Sequence, residues 1–262
     1  SYGRQNWFDH SAAEHRAARE NVALFDQSSF AKFRLEGVDA MRELNRVCAN
    51  DVDVAPGRIV YTQWLNERAG IEADLTITRI DADEFMIVTS GETEVRDFSY
   101  LQRRLTAGAS VHLHNETSAF AVLSLMGPRA RDLLQSLTSD DLSGEIFRFG
   151  WSREIELGYT RVRASRITYV GELGFELYIP TEYALGVYEV IIEGGRAFNL
   201  MHAGYHALNS LRIEKAYRHW GHDIADEDSP LEAGLMFVVR PDKAGGFIGR
   251  DALMRKIEQG RD

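Results

Sequence analysis

After the turn signal Ala69-Gly70, the apolar residues Ile71, Ala73, Leu75, Ile77 and Ile80 form a mostly alternating row. That row predicts a half-buried β-strand over residues 71–80. Asp74 falls on the other parity, in mid-strand, where a carboxylate loses hydration and is therefore depleted. Taken alone, the pattern favours a solvated face shared by Glu72, Asp74, Thr76 and Thr78, because polar-out alternation is the norm in antiparallel sheets.

The same reading extends along the chain. Ser11-Ala12-Ala13-Glu14 reads as a capping box opening a helix over 11–24. Phe30 to Leu35 reads as a strand, Gly37 as a turn, and Val38 to Ala49 as a helix that turns Met41, Leu44 and Val47 inward. Strands follow at 59–65, 71–80 and 84–89, then a helix from Glu94 to Leu105. Leu35, Gly37, Ala40, Leu44, Val47 and Asp51 recur ninety positions later as Leu125, Gly127, Ala130, Leu134, Leu137 and Asp141. Strand-like runs at 153–157, 160–170 and 175–179 lead to a helix from Tyr183 to Glu193, which Thr181 caps and Gly194-Gly195 ends. The expectation is an α+β fold of two pseudo-repeated β-α-β-β-β-α halves, over 1–117 and 118–262, with a site between them.

Composition narrows the chemistry. The chain has 262 residues, is 44% hydrophobic and carries a formal net charge of −10, which disfavours nucleic acid and anionic membrane surfaces as partners. No apolar run approaches the ~20 residues of a membrane span, and no signal peptide is apparent. The single cysteine, Cys48, suits a reducing compartment, the cytoplasm or the mitochondrial matrix, and reads as a small buried residue in a helix. The start at Ser1, without methionine, suggests a piece of something longer.

No dinucleotide fingerprint, phosphate-binding loop or serine elbow is present, so a flavin or ATP domain is expected elsewhere. His202 and His206, and His219 and His222, have helical spacing, but the H-E-x-x-H glutamate is missing and a third ligand is not evident. They read as ordinary hydrogen-bonding histidines, with no metal expected; Trp220 and His222 beside Gly221 could equally line a pocket. The run ITYVGELGFELYIP, 167–180, is chemically richer. Glu176 and Tyr178 share one strand face, and Tyr169 and Glu172 lie just upstream. A carboxylate flanked by phenols can hold an amino-pyrimidinone ring. A solvated strand face explains the spacing equally well.

The segments FDQSSFAKF (25–33), LNERAGIEADL (65–75), LMGPRARDLL (125–134), TYVGELGFELY (168–178), SLRIEKAYRHWGHDI (210–224) and PLEAGL (230–235) resemble the folate-binding aminomethyltransferase family. The likeness is strongest to the C-terminal half of flavin-dependent dimethylglycine and sarcosine dehydrogenases, and weaker to glycine-cleavage T-protein. It covers nearly the whole chain. The resemblance implies a tetrahydrofolate site in which Asp74 assists one-carbon transfer and Glu176 holds the pterin, with Tyr169 and Tyr178 in the folate-contacting segment and Glu172 nearby. Ser29-Phe30 and Leu208 replace the His-Met and arginine of T-protein-like members, which leaves Arg212 as a structural ion-pair partner of Glu214. Relatives of this kind continue into a small C-terminal β-barrel and follow a flavin module; neither is expected within this chain, so FAD belongs to a missing N-terminal module.

The resemblance further implies a reaction. A flavin oxidoreductase module, in the same or a partner chain, oxidises a small methylated amine to an iminium ion, and tetrahydrofolate captures the one-carbon unit as 5,10-methylene-tetrahydrofolate. The alternative is a non-catalytic folate-binding or structural module. Relatives of that type in iron–sulfur assembly use a Lys-Gly-Cys cysteine, whereas Cys48 sits in Val-Cys-Ala.

Overall fold

The computed structural model describes residues 3–260. The chain forms two compact units, each assembled from two segments: Ser1–Ser29 with Ser118–Arg218, and Phe30–Thr117 with His219–Asp262. The chain crosses between the units at 29/30, 117/118 and 218/219.

The second unit is built on a five-stranded sheet ordered β3-β4-β5-β2-β6. Its strands are β2 (Ala31–Glu36), β3 (Ile59–Leu65), β4 (Ile71–Asp81), β5 (Glu84–Thr89) and β6 (His112–Asn115). Ala73, Leu75 and Ile77 of β4 join Phe33, Leu35, Trp64, Phe85 and Ile87 in a core that α2 (Ala40–Val47) and α3 (Glu94–Arg104) cover with Leu44, Val47 and Leu101. Because strand side chains alternate, the apolar parity predicted for residues 71–80 is the one that faces this core. Helix α7 (Arg250–Glu258) adds Leu253 to a smaller cluster with Leu65 and Ile71. Cys48 caps the end of α2 instead of lying within it; it is buried against the Trp64 indole, and that burial pushes its thiol up to about 11, leaving it unreactive.

The first unit carries a six-stranded sheet ordered β11-β1-β7-β10-β9-β8. The strands are β1 (Ala23–Asp26), β7 (Phe120–Met126), β8 (Ser152–Leu157), β9 (Thr160–Ser165), β10 (Gly174–Pro180) and β11 (Met201–Ala203). Leu123, Leu125, Phe175, Leu177 and Ile179 pack under α4 (Ala130–Ser136) and α5 (Ala184–Gly195). Helices α1 (Phe8–Glu20) and α6 (Tyr205–Glu214) bury Ala18, Ala207, Leu208 and Leu211 with Phe25 and Met126.

The ninety-residue repeat is visible in both sheets, since β3-β4-β5-β2 has the same order as β8-β9-β10-β7. Gly37 and Gly127 hold matching φ angles of 130° and 138°, and a side chain on either would strike the backbone, of Ser110 and of Asn21 respectively. The repeat also exchanges an edge. β1 precedes β2 in the chain yet pairs with β7, and β6 precedes β7 yet pairs with β2. The placement of β1 brings Ser1–Ser29 to the first unit, whereas the second unit gains His219–Asp262 through the cluster around Leu253.

The N-terminal helix differs from expectation. It begins at Phe8, so Ser11 lies inside it and caps nothing, and it ends at Glu20 because Ala23–Asp26 are drawn into the ladder between β7 and β11. The apolar run that resembled its last turn is a strand.

Candidate functional site

Asp74 projects from the face of β4 opposite the helix-covered core. Gln63 of β3 is its direct cross-strand partner, and Tyr61, two residues earlier, shares that face. The Gln63 Nε2 donates to Asp74 Oδ1 at 2.9 Å and the Tyr61 hydroxyl donates to Oδ2 at 2.8 Å. Burial raises the carboxyl to about 6 even though both hydrogen bonds oppose the rise. No cation pairs with Asp74 among the described residues. Gln63 is fully buried, and its Oε1 is hidden without a partner among the described residues, an unmet acceptor beside the carboxylate. Phe237, 67% exposed, tilts against the Tyr61 ring at 6.3 Å and gives this face an apolar rim. Tyr61 and Gln63 were legible as the alternate positions of strand 59–65, but only strand pairing identifies which residues they face.

In the other unit Glu176 lies on β10, the strand that the repeat matches to β5 and not to β4, on the face away from α4 and α5. It is 5% exposed and Tyr178 2%, so this is no solvated face. The Tyr178 hydroxyl donates to Glu176 Oε2 at 2.7 Å, while Oε1 accepts no hydrogen bond among the described residues. Burial pushes Glu176 up to about 7, and burial together with the neighbouring carboxylate charge pushes Tyr178 well above its ordinary range. The cross-strand neighbours of Glu176 are Ser124 and Ser165, both buried. Ser124 donates to Gln27 Oε1, and the Gln27 Nε2 is left buried without a partner among the described residues.

The other proposed residues lie elsewhere in that unit. Strand β9 ends at Ser165, five residues short of its expected limit, so Tyr169 and Glu172 stand on a loop turned by Gly171 at φ 75°. Tyr169 donates its hydroxyl to the Arg218 carbonyl at 2.6 Å and stacks on Tyr217. Glu172 pairs with Arg19 at 2.9 Å and with Lys215 at 3.9 Å. Of the four, Glu176 and Tyr178 are joined by a hydrogen bond. Arg212 binds the Asn209 side chain and the Tyr217 carbonyl, while Glu214 pairs instead with Arg19 and His15.

The histidines divide similarly. His202 lies on β11 and bonds the Tyr188 hydroxyl, whereas His206 on α6 stacks on Trp7, so they share no helix face. His219 and His222 stack on each other with ring centroids 4.1 Å apart.

Both carboxylates are thus short of donors, have no cation partner among the described residues and are raised toward neutrality, conditions that let a group accept a proton or bind a hydrogen-bond donor at working pH. The GCVT N-terminal domain matches residues 1–243. The chain belongs to that family. Members to which this GCVT chain is similar include 4-methylaminobutanoate oxidase (formaldehyde-forming) of Paenarthrobacter nicotinovorans, 45% identical over 97% of the chain and 31% of the relative. Human mitochondrial dimethylglycine dehydrogenase is 35% identical over 97% of the chain and 29% of the relative. The chain therefore spans about a third of the length of these two proteins. Among solved structures, glycine cleavage system aminomethyltransferase T from Bartonella henselae superposes with a TM-score of 0.85 at 28% identity, over 95% of the chain and 66% of that protein. The resemblance read from LNERAGIEADL and RHWGHDI is borne out, as is the α+β architecture with its two sheets. No helix among the described residues is long and apolar enough to cross a membrane.

Proposed function

We propose that this GCVT chain is the tetrahydrofolate module of an N-methyl-amine dehydrogenase, with Glu176 as the pterin-binding carboxylate and Asp74 as the group that assists one-carbon transfer. The observation that carries the reading is the pair of carboxylates, Asp74 and Glu176, that no cation pairs among the described residues and that burial raises toward neutrality. Their chemistry fits the ligand. An amino-pyrimidinone edge offers adjacent N–H donors, and Glu176 has an oxygen free to accept while Tyr178 fixes the other. When bound, tetrahydrofolate supplies the ring nitrogen that takes up the one-carbon unit. A carboxylate beside an electrophilic cation does two things: its charge stabilises the cation, and its oxygen takes the proton released from nitrogen. Asp74, raised to about 6, is ionised at neutral pH yet basic enough to hold that proton briefly. Tyr61 and Gln63 fix the carboxylate plane, which leaves little reorganisation for the transfer itself. Tyr169 and Glu172 hold the loop that leads into β10. The amine would be oxidised by a flavin module outside this chain, in the mitochondrion for a eukaryotic source, a reading supported by the mitochondrial dimethylglycine dehydrogenase relative.

A second reading rests on a specific observation, the name of the 45%-identical oxidase, which is formaldehyde-forming. On that reading the one-carbon unit leaves as formaldehyde and folate capture does not operate. The two are separated by the ratio of methylene-folate to formaldehyde made by the full-length flavin enzyme at saturating tetrahydrofolate. A wild-type product that is all formaldehyde would exclude the folate reading.

A further inference from the structure

We propose that Glu92, His219 and His222 form a binding site for a first-row divalent transition metal ion such as Zn2+. From sequence spacing the histidine pair lacked a third ligand; the fold of the second unit supplies one from the turn of 3₁₀-helix Gly91–Thr93, well over a hundred residues away. One ligand atom from each of the three side chains lies within 4.8 Å of the others. Donors arranged tetrahedrally around zinc at 2.0–2.1 Å are about 3.3 Å apart, so the site closes by rotamer adjustments of roughly 1.5 Å without moving the backbone. Two imidazoles and one carboxylate are a donor set of the borderline type that zinc and its neighbours prefer over calcium or magnesium, which take oxygen.

The backbone that carries the donors is already fixed. Gly221, at φ 87°, closes the His219–His222 turn, and the His222 amide donates to the His219 carbonyl at 3.1 Å. Asp223 accepts the His219 amide, and the Trp220 indole donates to the Ile71 carbonyl at 2.7 Å while the Arg96 guanidinium lies 4.3 Å over its ring. Arg96 is itself balanced by Glu72 and Asp97, so its charge is not free to repel a cation. Glu92 has no ion pair or hydrogen bond among the described residues, and the His222 ring stacks on that of His219. The remaining coordination positions open to solvent, since Glu92 and His222 are exposed. The ion would tie the 219–224 turn to the segment that starts α3, a role independent of the folate reading.

The test is a calorimetric titration of the untagged, chelator-stripped 262-residue chain with ZnCl2, paired with the visible spectrum after Co2+ addition. The expected result is one equivalent bound in the wild type with ligand-field bands for Co2+. Because even outer-shell partners of a metal are worth about 10–100-fold in affinity, His222→Ala should lose more than that, and Glu92→Gln should weaken binding measurably. Both side chains are exposed, so the metal-free variants should melt with the wild type, which separates loss of ligand from loss of fold. Absence of zinc binding by the wild type, or equal binding by His222→Ala or by Glu92→Gln, overturns the proposal.

Discussion

Glu43 and Glu176 are equally hidden from water, at 1% and 5% exposure, and differ in everything that surrounds the carboxylate. On α2, burial raises Glu43, but the Thr106 amide and hydroxyl, each at 2.9 Å, and Arg46 at 3.1 Å more than offset it and hold it below the usual range. On β10, Glu176 has the Tyr178 hydroxyl alone and rises to about 7. Burial therefore does not separate structural from functional carboxylates. The number of donors does: Glu43 is saturated and ties Arg46 and the 106 backbone together, whereas Glu176, like Asp74, retains capacity that folding leaves unused.

The largest expected effect comes from breaking the unsaturated class at its chemical end. Asp74→Asn keeps the shape and both cross-strand neighbours but removes charge and proton acceptor. Loss of general-base assistance is typically worth ~10²–10⁴-fold, so methylene-folate formation by the full-length flavin enzyme should fall by that order while amine oxidation continues. Formaldehyde should then replace methylene-folate at saturating tetrahydrofolate. An unchanged product ratio would remove Asp74 from the chemistry.

Glu176→Gln sharpens the comparison because its two consequences have opposite signs. A carboxyl raised in the folded state binds its proton more tightly when folded, so stability falls as pH climbs from about 4.5 to about 7. Gln mimics the neutral form and should stabilise the protein by up to about 3 kcal/mol at pH 8, with no gain near pH 4. The same change should weaken tetrahydrofolate by ~1.5–3 kcal/mol, since a charge-assisted acceptor pair becomes an amide that mismatches one donor. Chemical denaturation across pH reads the first and calorimetry the second; a variant that loses stability at pH 8 contradicts the unsaturated description.

Glu43→Gln should do the reverse. A group lowered in the folded state contributes stability above its unfolded value of 4.5 and loses it as pH falls. The variant should lose about 2 kcal/mol at pH 7, a deficit that narrows toward pH 3, because the amide cannot accept from Thr106 and Arg46 together. A pH-independent loss would point to packing and not to charge.

What the sequence disclosed follows from how local each feature is. The alternation of β4 and the glycine turns at Gly37 and Gly127 are set by neighbours within a few residues, and both were legible. The exchange of β1 and β6 was not, because a four-residue strand such as Ala23–Asp26 is defined by the chain it pairs with and not by its own pattern. Glu176 posed the same problem: its spacing fitted a wet face and a dry one equally, and only the sheet's long-range packing decided between them. Tyr61 and Gln63 were hidden in register, and Glu92 joined the histidines through the fold alone.

The smallest effect belongs to Glu172, which tests the comparison from its exposed side. It lies four residues before Glu176 and was grouped with it as part of the same run, yet Arg19 and Lys215 already neutralise it on a partly solvated loop. Such pairs are worth roughly 0–1 kcal/mol, because hydration lost on pairing and side-chain entropy offset most of the attraction. Arg19 also keeps Glu214 and the Val170 carbonyl when Glu172 is neutralised, so the guanidinium is not stranded. Glu172→Gln should therefore shift stability by less than about 1 kcal/mol, with little dependence on pH and less still at high salt. Folate affinity should stay within a few-fold of wild type if saturation by cations is what removes a carboxylate from ligand binding. A loss in Glu172→Gln as large as that in Glu176→Gln would show that ion-paired carboxylates bind folate too, and the distinction drawn from Glu43 would no longer hold.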